Sequence, residues 1–218
     1  IMIMQLIEEK KLSLQTKLNR FYPKIPNAEK ITIYDLLHHR TGIVDYVNQD
    51  TSLHEKFSIP HSKEEIISKI TAYESIFEPN SKYEYSNSNY FILGCIIETI
   101  TKKTYAENLE NRIVKKANLM DTYYSEEKIN TSNKESYSFV HDGTKWIQMP
   151  ETHNSIPFSS GGITSTPADL TRFLYALFHD KLVNKKSLEQ MKDVVEGYGI
   201  GLYKFPFGER KFFGHGGV

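Results

Sequence analysis

Apolar side chains recur at helical spacing along most of this chain, and four such stretches open on a hydroxyl residue followed three places later by a carboxylate. That pair can satisfy the amide donors left free at a helix start. Thr32 with Asp35 predicts a short helix ending near His39 and Gly42. Ser62 with Glu65 predicts another, with Ile66, Ile67, Ile70 and Tyr73 on one face, and Thr104 with Glu107 a third carrying Leu109 and Ile113. Thr166-Pro167-Ala168-Asp169 opens a fourth, with proline at the favoured first position and Leu170, Phe173, Leu174 and Leu177 expected to point inward. Between these, Phe91, Ile92, Leu93, Ile96, Ile97 and Ile100 predict a strongly apolar helix at the centre of a helical lobe. Leu188, Met191, Val194 and Val195 suggest one more.

Strand signals are fewer and come late. Tyr137–His141 and Lys145–Met149 flank an Asp142-Gly143 turn and read as a peripheral hairpin. Tyr198–Phe205 and Lys211–His215 read as a second pair, joined by a loop holding Pro206 and Gly208. At the start, Ile1, Met2, Ile3, Met4, Leu6 and Ile7 precede Glu8-Glu9-Lys10-Lys11 without a capping residue, which reads as the second half of a buried helix. A secretory leader would carry its positive charge ahead of the apolar stretch. The last residues read as a strand that has only begun. The expected class is therefore α+β, a helical lobe beside an antiparallel sheet formed by both chain ends and incomplete at both termini. Residues 1–218 are taken as a fragment of a single domain, with about 20–180 mainly helical and about 185–218 starting the C-terminal sheet part.

Composition narrows the function classes. With 27 Lys+Arg against 27 Asp+Glu and no dense basic run, the electrostatic footprint for nucleic acid or an anionic membrane is missing, so neither partner is expected. Cys95, alone, excludes an internal disulfide and a thiolate zinc site, and within the apolar helix it is expected to be inert. No run of about 18 apolar residues signals a membrane span.

Two segments hold candidate chemistry. Phe77-Glu78-Pro79-Asn80-Ser81-Lys82-Tyr83-Glu84-Tyr85-Ser86-Asn87 leads a loop into the apolar helix and puts Tyr85 and Asn87 at its mouth. Taken alone, Asn87 or Ser86 caps that helix and Tyr85 packs on its first turn. Gly214-His215-Gly216-Gly217 follows a strand with glycines that let a ligand backbone approach the sheet edge, although alone it is also a simple turn.

Together with "IMIMQLIEEKKLSL", "ITIYDLLHHRTGI", "NLMDTYY" and "SSGGITSTPADLTRFL", these segments resemble, in order, the landmarks of the serine β-lactamase and penicillin-binding-protein-like superfamily: class C β-lactamases, D,D-peptidases and related esterases. The resemblance covers nearly the whole chain. It implies a serine hydrolase that cleaves an amide or ester through an acyl-enzyme, acting on a small-molecule or peptide substrate without cofactor or metal. Tyr85 matches the tyrosine that shuttles the nucleophile's proton, for which a free phenol with a pKa of about 10 needs cationic neighbours near neutrality. Asn87 matches the amide that bonds substrate and catalytic lysine, and His215 the basic residue of the third motif. Gly217 would give clearance and Val218 one oxyanion amide. The serine and lysine of Ser-x-x-Lys are not in place and are expected upstream of Ile1, so this fragment should not catalyse. A non-catalytic ligand-binding or sensor protein is the alternative. By analogy the protein works in the periplasm or outside the cell.

Other candidates are weaker. Ser125-Glu126-Glu127-Lys128 spells Ser-x-x-Lys but follows Tyr85, in a polar stretch, and is read as a decoy. His38 and His39 are adjacent and so face different ways, with no metal-ligand spacing, and His39 is expected to pack structurally. Gly161-Gly162 is no phosphate loop and is expected to lie beside the active-site cleft.

Overall fold

An apolar helix that is greasy on every side has to be surrounded, and the rest of the chain is arranged to do this. The computed structural model describes residues 1–49 and 56–217. Its helices are α1 (Met2–Glu8), α2 (Ile33–Leu37), α3 (Tyr46–Gln49), α4 (Lys63–Ala72), α5 (Asn87–Thr101), α6 (Tyr105–Leu109), α7 (Pro167–Phe178) and α8 (Lys185–Lys192). A π-turn at Glu110–Val114 carries α6 on into Lys115–Ala117. On α5, Phe91, Ile92, Leu93, Cys95, Ile96 and Ile97 are buried against α1, α2, α3, α4 and α6 and a tight 3-10 turn at Phe158–Ser160. Full burial of each such aliphatic or aromatic side chain contributes about 1.5–3 kcal/mol.

The capping signals work in two ways. Thr32–Asp35 and Thr104–Glu107 form both halves of the box. Ser62 and Thr166 cap through their hydroxyls alone, because their carboxylates are used elsewhere. Glu65 takes the Nδ1 of His61 at 2.9 Å. Asp169 is fully buried and accepts from the amides of Met120 (2.9 Å) and Asp121 (2.7 Å), the Thr122 hydroxyl (2.8 Å) and Arg172 (2.7 Å). It thus ties the start of α7 to the segment leaving Lys115–Ala117. Burial pushes the Asp169 pKa up, but these four donors outweigh it and bring it from 3.8 down to about 2. A depressed carboxylate stabilises the fold above its unfolded pKa and loses that contribution as pH falls through the folded value. Urea midpoints should therefore drop between about pH 4 and pH 2, and Asp169→Asn should be less stable at neutrality and flatten that dependence.

The strands are short: β1 (Tyr123–Tyr124), β2 (Phe139–His141), β3 (Trp146–Gln148), β4 (Ile163–Thr164), β5 (Tyr203–Phe207) and β6 (Arg210–Gly214). Among the described residues they form three antiparallel pairs, β1 with β4, β2 with β3 and β5 with β6. The peripheral hairpin forms as its turn predicts, with His141 opposite Trp146. The last hairpin differs from expectation in register. Pro206 lies inside β5, opposite Lys211, and the turn is Gly208-Glu209. Tyr198 precedes the strand, because the Gly199 amide bonds the Leu202 carbonyl (2.8 Å) and that of Ile200 bonds Met191 (3.0 Å), folding the chain back onto α8. For the same reason Val194 and Val195 are not helical, and Val195 instead bridges to Tyr198. On α7 only Leu177 of the four expected inward residues is fully buried. Phe173 is partly so, and Leu170 and Leu174 are exposed, since the helix rests on the core by its later turns.

Candidate active site

The helix-ending residue His39 organises the site. Its backbone adopts the left-handed conformation, φ 53°, which turns the chain sharply after α2. The segment 80–86 then runs beside it: the Asn80 amide bonds the Arg40 carbonyl (2.7 Å), that of Glu84 bonds the His39 carbonyl (2.9 Å), and that of Ser86 bonds His39 Nδ1 (3.1 Å). Asn89 Nδ2 donates to the same nitrogen at 3.2 Å, while its Oδ1 accepts from Thr41 at 2.7 Å. With two donors directed at Nδ1, the imidazole proton sits on Nε2. The ring is fully buried, and burial lowers its pKa to about 3, with His215 adding to the effect, so it is a neutral packing element at working pH. The structural role expected for His39 is the one seen. His38 turns away, its Nδ1 on the Tyr34 carbonyl at 2.9 Å, and among the described residues no cluster of three or more potential metal ligands forms.

Tyr85 stacks on His39, ring centroids 4.2 Å apart and planes at 28°. Tyr90 stacks on His39 at 5.0 Å, and Tyr198 meets it edge-on at 4.8 Å. His215, exposed just beyond β6, comes to this aromatic box from the distant end of the chain: 6.1 Å from Tyr85, 5.8 Å from Tyr198 and 5.0 Å from Tyr203. The phenol and imidazole singled out in the sequence are thus brought together.

Asn87 begins α5 two residues after Tyr85, but neither it nor Ser86 caps that helix by a side chain. Its Nδ2 donates to Asp45 Oδ2 at 2.9 Å. This leaves the amide oxygen as the group free to accept, and Asp45 holds that orientation. Burial first, then Tyr203 and Asp45, raise the Tyr85 pKa and favour the protonated phenol; the cationic neighbour that the resemblance implies is the lysine expected upstream of Ile1. A Cβ at Gly217 would meet no atom, so the space there is open. Val218 lies outside the described residues.

Ser125 is not on a helix, its Oγ accepts from the Glu127 amide at 3.0 Å, and Lys128 is exposed, so the pair lacks the one-turn geometry that lets a lysine activate a serine. The Gly161-Gly162 loop is anchored to α5 through Ser159, whose hydroxyl donates to the Tyr90 carbonyl at 2.8 Å. Cys95 is buried and its thiol is pushed up to about 12 by burial, as suits an inert core residue. Sequence reasoning missed Asp45, Tyr90, Tyr198 and Tyr203. The only signal was an unusual density of tyrosine in two remote segments.

A helical core flanked by small antiparallel pairs thus carries Tyr-x-Asn at a helix mouth and His-x-Gly beyond a strand, both on one aromatic box. The chain belongs to the Beta-lactamase family, whose profile matches residues 1–217. It is 27% identical over 197 residues to penicillin-binding protein 4* of Bacillus subtilis, covering 84% of this chain and 44% of that protein. It is 25% identical over 221 residues to the teichoic acid D-alanine hydrolase of Staphylococcus aureus, covering 94% and 51%. The chain thus spans about half the length of the curated relatives it matches. Among solved structures it matches a D-stereospecific amidohydrolase from Streptomyces at TM-score 0.90 and 25% identity (100% of this chain, 71% of that one). It matches the D-amino acid amidase of Ochrobactrum anthropi SV3 at 0.85 and 26% (98% and 65%). Among the described residues no helix is long and apolar enough to cross a membrane.

Proposed function

We propose that the full-length protein is a serine hydrolase that opens a D-aminoacyl ester or amide through an acyl-enzyme, with Tyr85, Asn87 and His215 in its catalytic cleft and Gly217 and Val218 at the oxyanion end. One observation carries this reading: Tyr85 and His215, remote in sequence, lie 6.1 Å apart on one aromatic box whose floor is a buried neutral histidine. The family's Ser-x-x-Lys, expected upstream of Ile1, supplies the nucleophile. Its hydroxyl adds to the substrate carbonyl as the lysine takes its proton. Tyr85 passes its proton to the leaving oxygen or nitrogen as that bond breaks and recovers one from the protonated lysine. The amide oxygen of Asn87, aimed by Asp45, accepts from the lysine or a substrate N–H. Water then adds to the acyl-enzyme and the serine recovers its proton.

The D-aminoacyl class is favoured because the relatives named for their substrates act on D-alanine or D-amino acid compounds, and His215, where the third motif more familiarly has lysine, favours an esterase or peptidase over a dedicated β-lactamase. The teichoic acid D-alanine hydrolase, named for a cell-envelope polymer, favours work at the envelope or outside the cell. A fluorophosphonate probe on the full-length protein should modify one serine upstream of Ile1, and Ser125→Ala should leave labelling and turnover intact. A D-alanyl p-nitroanilide should be cleaved in preference to its L isomer and to nitrocefin. No covalent adduct would favour the non-catalytic binder, and label on Ser125 would overturn the site.

A further inference from the structure

We propose that Tyr198 is a positioning residue that holds His215 in its Nδ1–H tautomer and aims the ring at the cleft; this rests on the reading of His215 as a site residue. The Nδ1 of His215 is 2.6 Å from the carbonyl oxygen of Gly216, a pure acceptor, so Nδ1 carries a proton. In the neutral ring Nε2 is then the lone-pair nitrogen. Its partner is the hydroxyl of Tyr198 at 3.2 Å, which donates to it. A free imidazole prefers the opposite tautomer, so the pair of contacts selects a form that solution does not favour.

Tyr198 is suited to this work because it cannot move. Only 1% of it is exposed, and its ring is wedged between His39 (4.8 Å), Tyr83 (5.8 Å) and Tyr203 (4.7 Å). Burial holds its phenol far above the ordinary range, so the hydroxyl stays a proton donor. The hydroxyl's hydrogen-bond partner is His215 Nε2, so its proton is directed at that nitrogen. His215 itself is exposed, and among the described residues its hydrogen-bond partners are the Tyr198 hydroxyl and the adjacent Gly216 carbonyl.

The test is nitrogen NMR of the full-length protein labelled at histidine, above the imidazole titration, with turnover measured in parallel. In the unmodified protein His215 should show a protonated Nδ1 and a bare Nε2. In Tyr198→Phe the ratio should move toward the Nε2–H form, with kcat/KM about tenfold lower, the scale set by losing one hydrogen bond. Tyr203→Phe, whose hydroxyl meets Tyr83 at 3.2 Å rather than His215, should leave the tautomer ratio where it was. A predominant Nε2–H form in the unmodified protein overturns the proposal before any variant is made. So does an unchanged ratio, or unchanged kcat/KM, in Tyr198→Phe. His215→Ala with full turnover would instead sink the catalytic reading of His215, and the tautomer measurement tells the two failures apart.

Discussion

Tyr85→Phe in the full-length protein should lower kcat by about 10²–10⁴-fold, the range a positioned proton-transfer group contributes. The variant isolates chemistry from packing. A phenylalanine ring keeps the 4.2 Å stack on His39 and the tilted approach to His215, and among the described residues no group depends on the Tyr85 hydroxyl for its only hydrogen bond. The melting temperature should accordingly stay close to that of the parent. The pKa direction adds a second readout. Because burial, Tyr203 and Asp45 raise the Tyr85 pKa, the phenol gives up its proton only above its ordinary value, so the alkaline limb of kcat assigned to it should lie beyond the usual phenol range. Asp45→Asn removes the carboxylate that both repels the phenolate and orients Asn87, so it should draw that limb back toward neutrality. A kcat that falls less than tenfold in Tyr85→Phe would remove Tyr85 from proton transfer.

What could be read from the sequence was what depends on near neighbours in the chain. The caps at Thr32, Ser62, Thr104 and Thr166, the apolar run of α5 and the Asp142-Gly143 hairpin are set by spacing of a few residues, and they form. The failures have distant causes. Asp169 looks like half a capping box, but its carboxylate is drawn to amides at 120 and 121 that no local pattern relates to it. Leu170 and Leu174 have the spacing of a buried stripe, yet spacing marks a face and not what covers it. Tyr85 and His215 could be named from motifs, whereas the box joining them needs His39, Tyr90, Tyr198 and Tyr203 to converge from three segments.

Gly42→Ala should destabilise the protein by about 3 kcal/mol, from about 1–2 kcal/mol of left-handed backbone strain and about 1–3 kcal/mol of overpacking. Gly42 has φ 74°, and its carbonyl accepts the amide of Ile76 at 2.9 Å, which clamps the loop entering α5 against the turn after His39. An added Cβ would collide with the Phe77 carbonyl and would come within 2.6 Å of Ser75 Oγ, whose hydroxyl bonds that same carbonyl at 2.7 Å. Backbone, unlike a flexible side-chain tip, cannot swing aside, so the clamp has to open. For a chain of this size about 3 kcal/mol corresponds to a fall in melting temperature of about 6–12 °C. Gly143 is the internal control: its φ is 98° but a Cβ there meets nothing within 4 Å, so Gly143→Ala should show the strain without the collision and cost about 1–2 kcal/mol. The larger loss should also reach the site, because the segment displaced by Gly42→Ala carries Tyr85 and the Ser86 amide that holds His39. Activity of Gly42→Ala, measured well below its melting point, should therefore fall while that of Gly143→Ala does not. Equal melting temperatures for the two variants would show that the Gly42 contact does not hold the 75–87 loop, leaving the bonds of Asn80, Glu84 and Ser86 to Arg40 and His39 as its anchors.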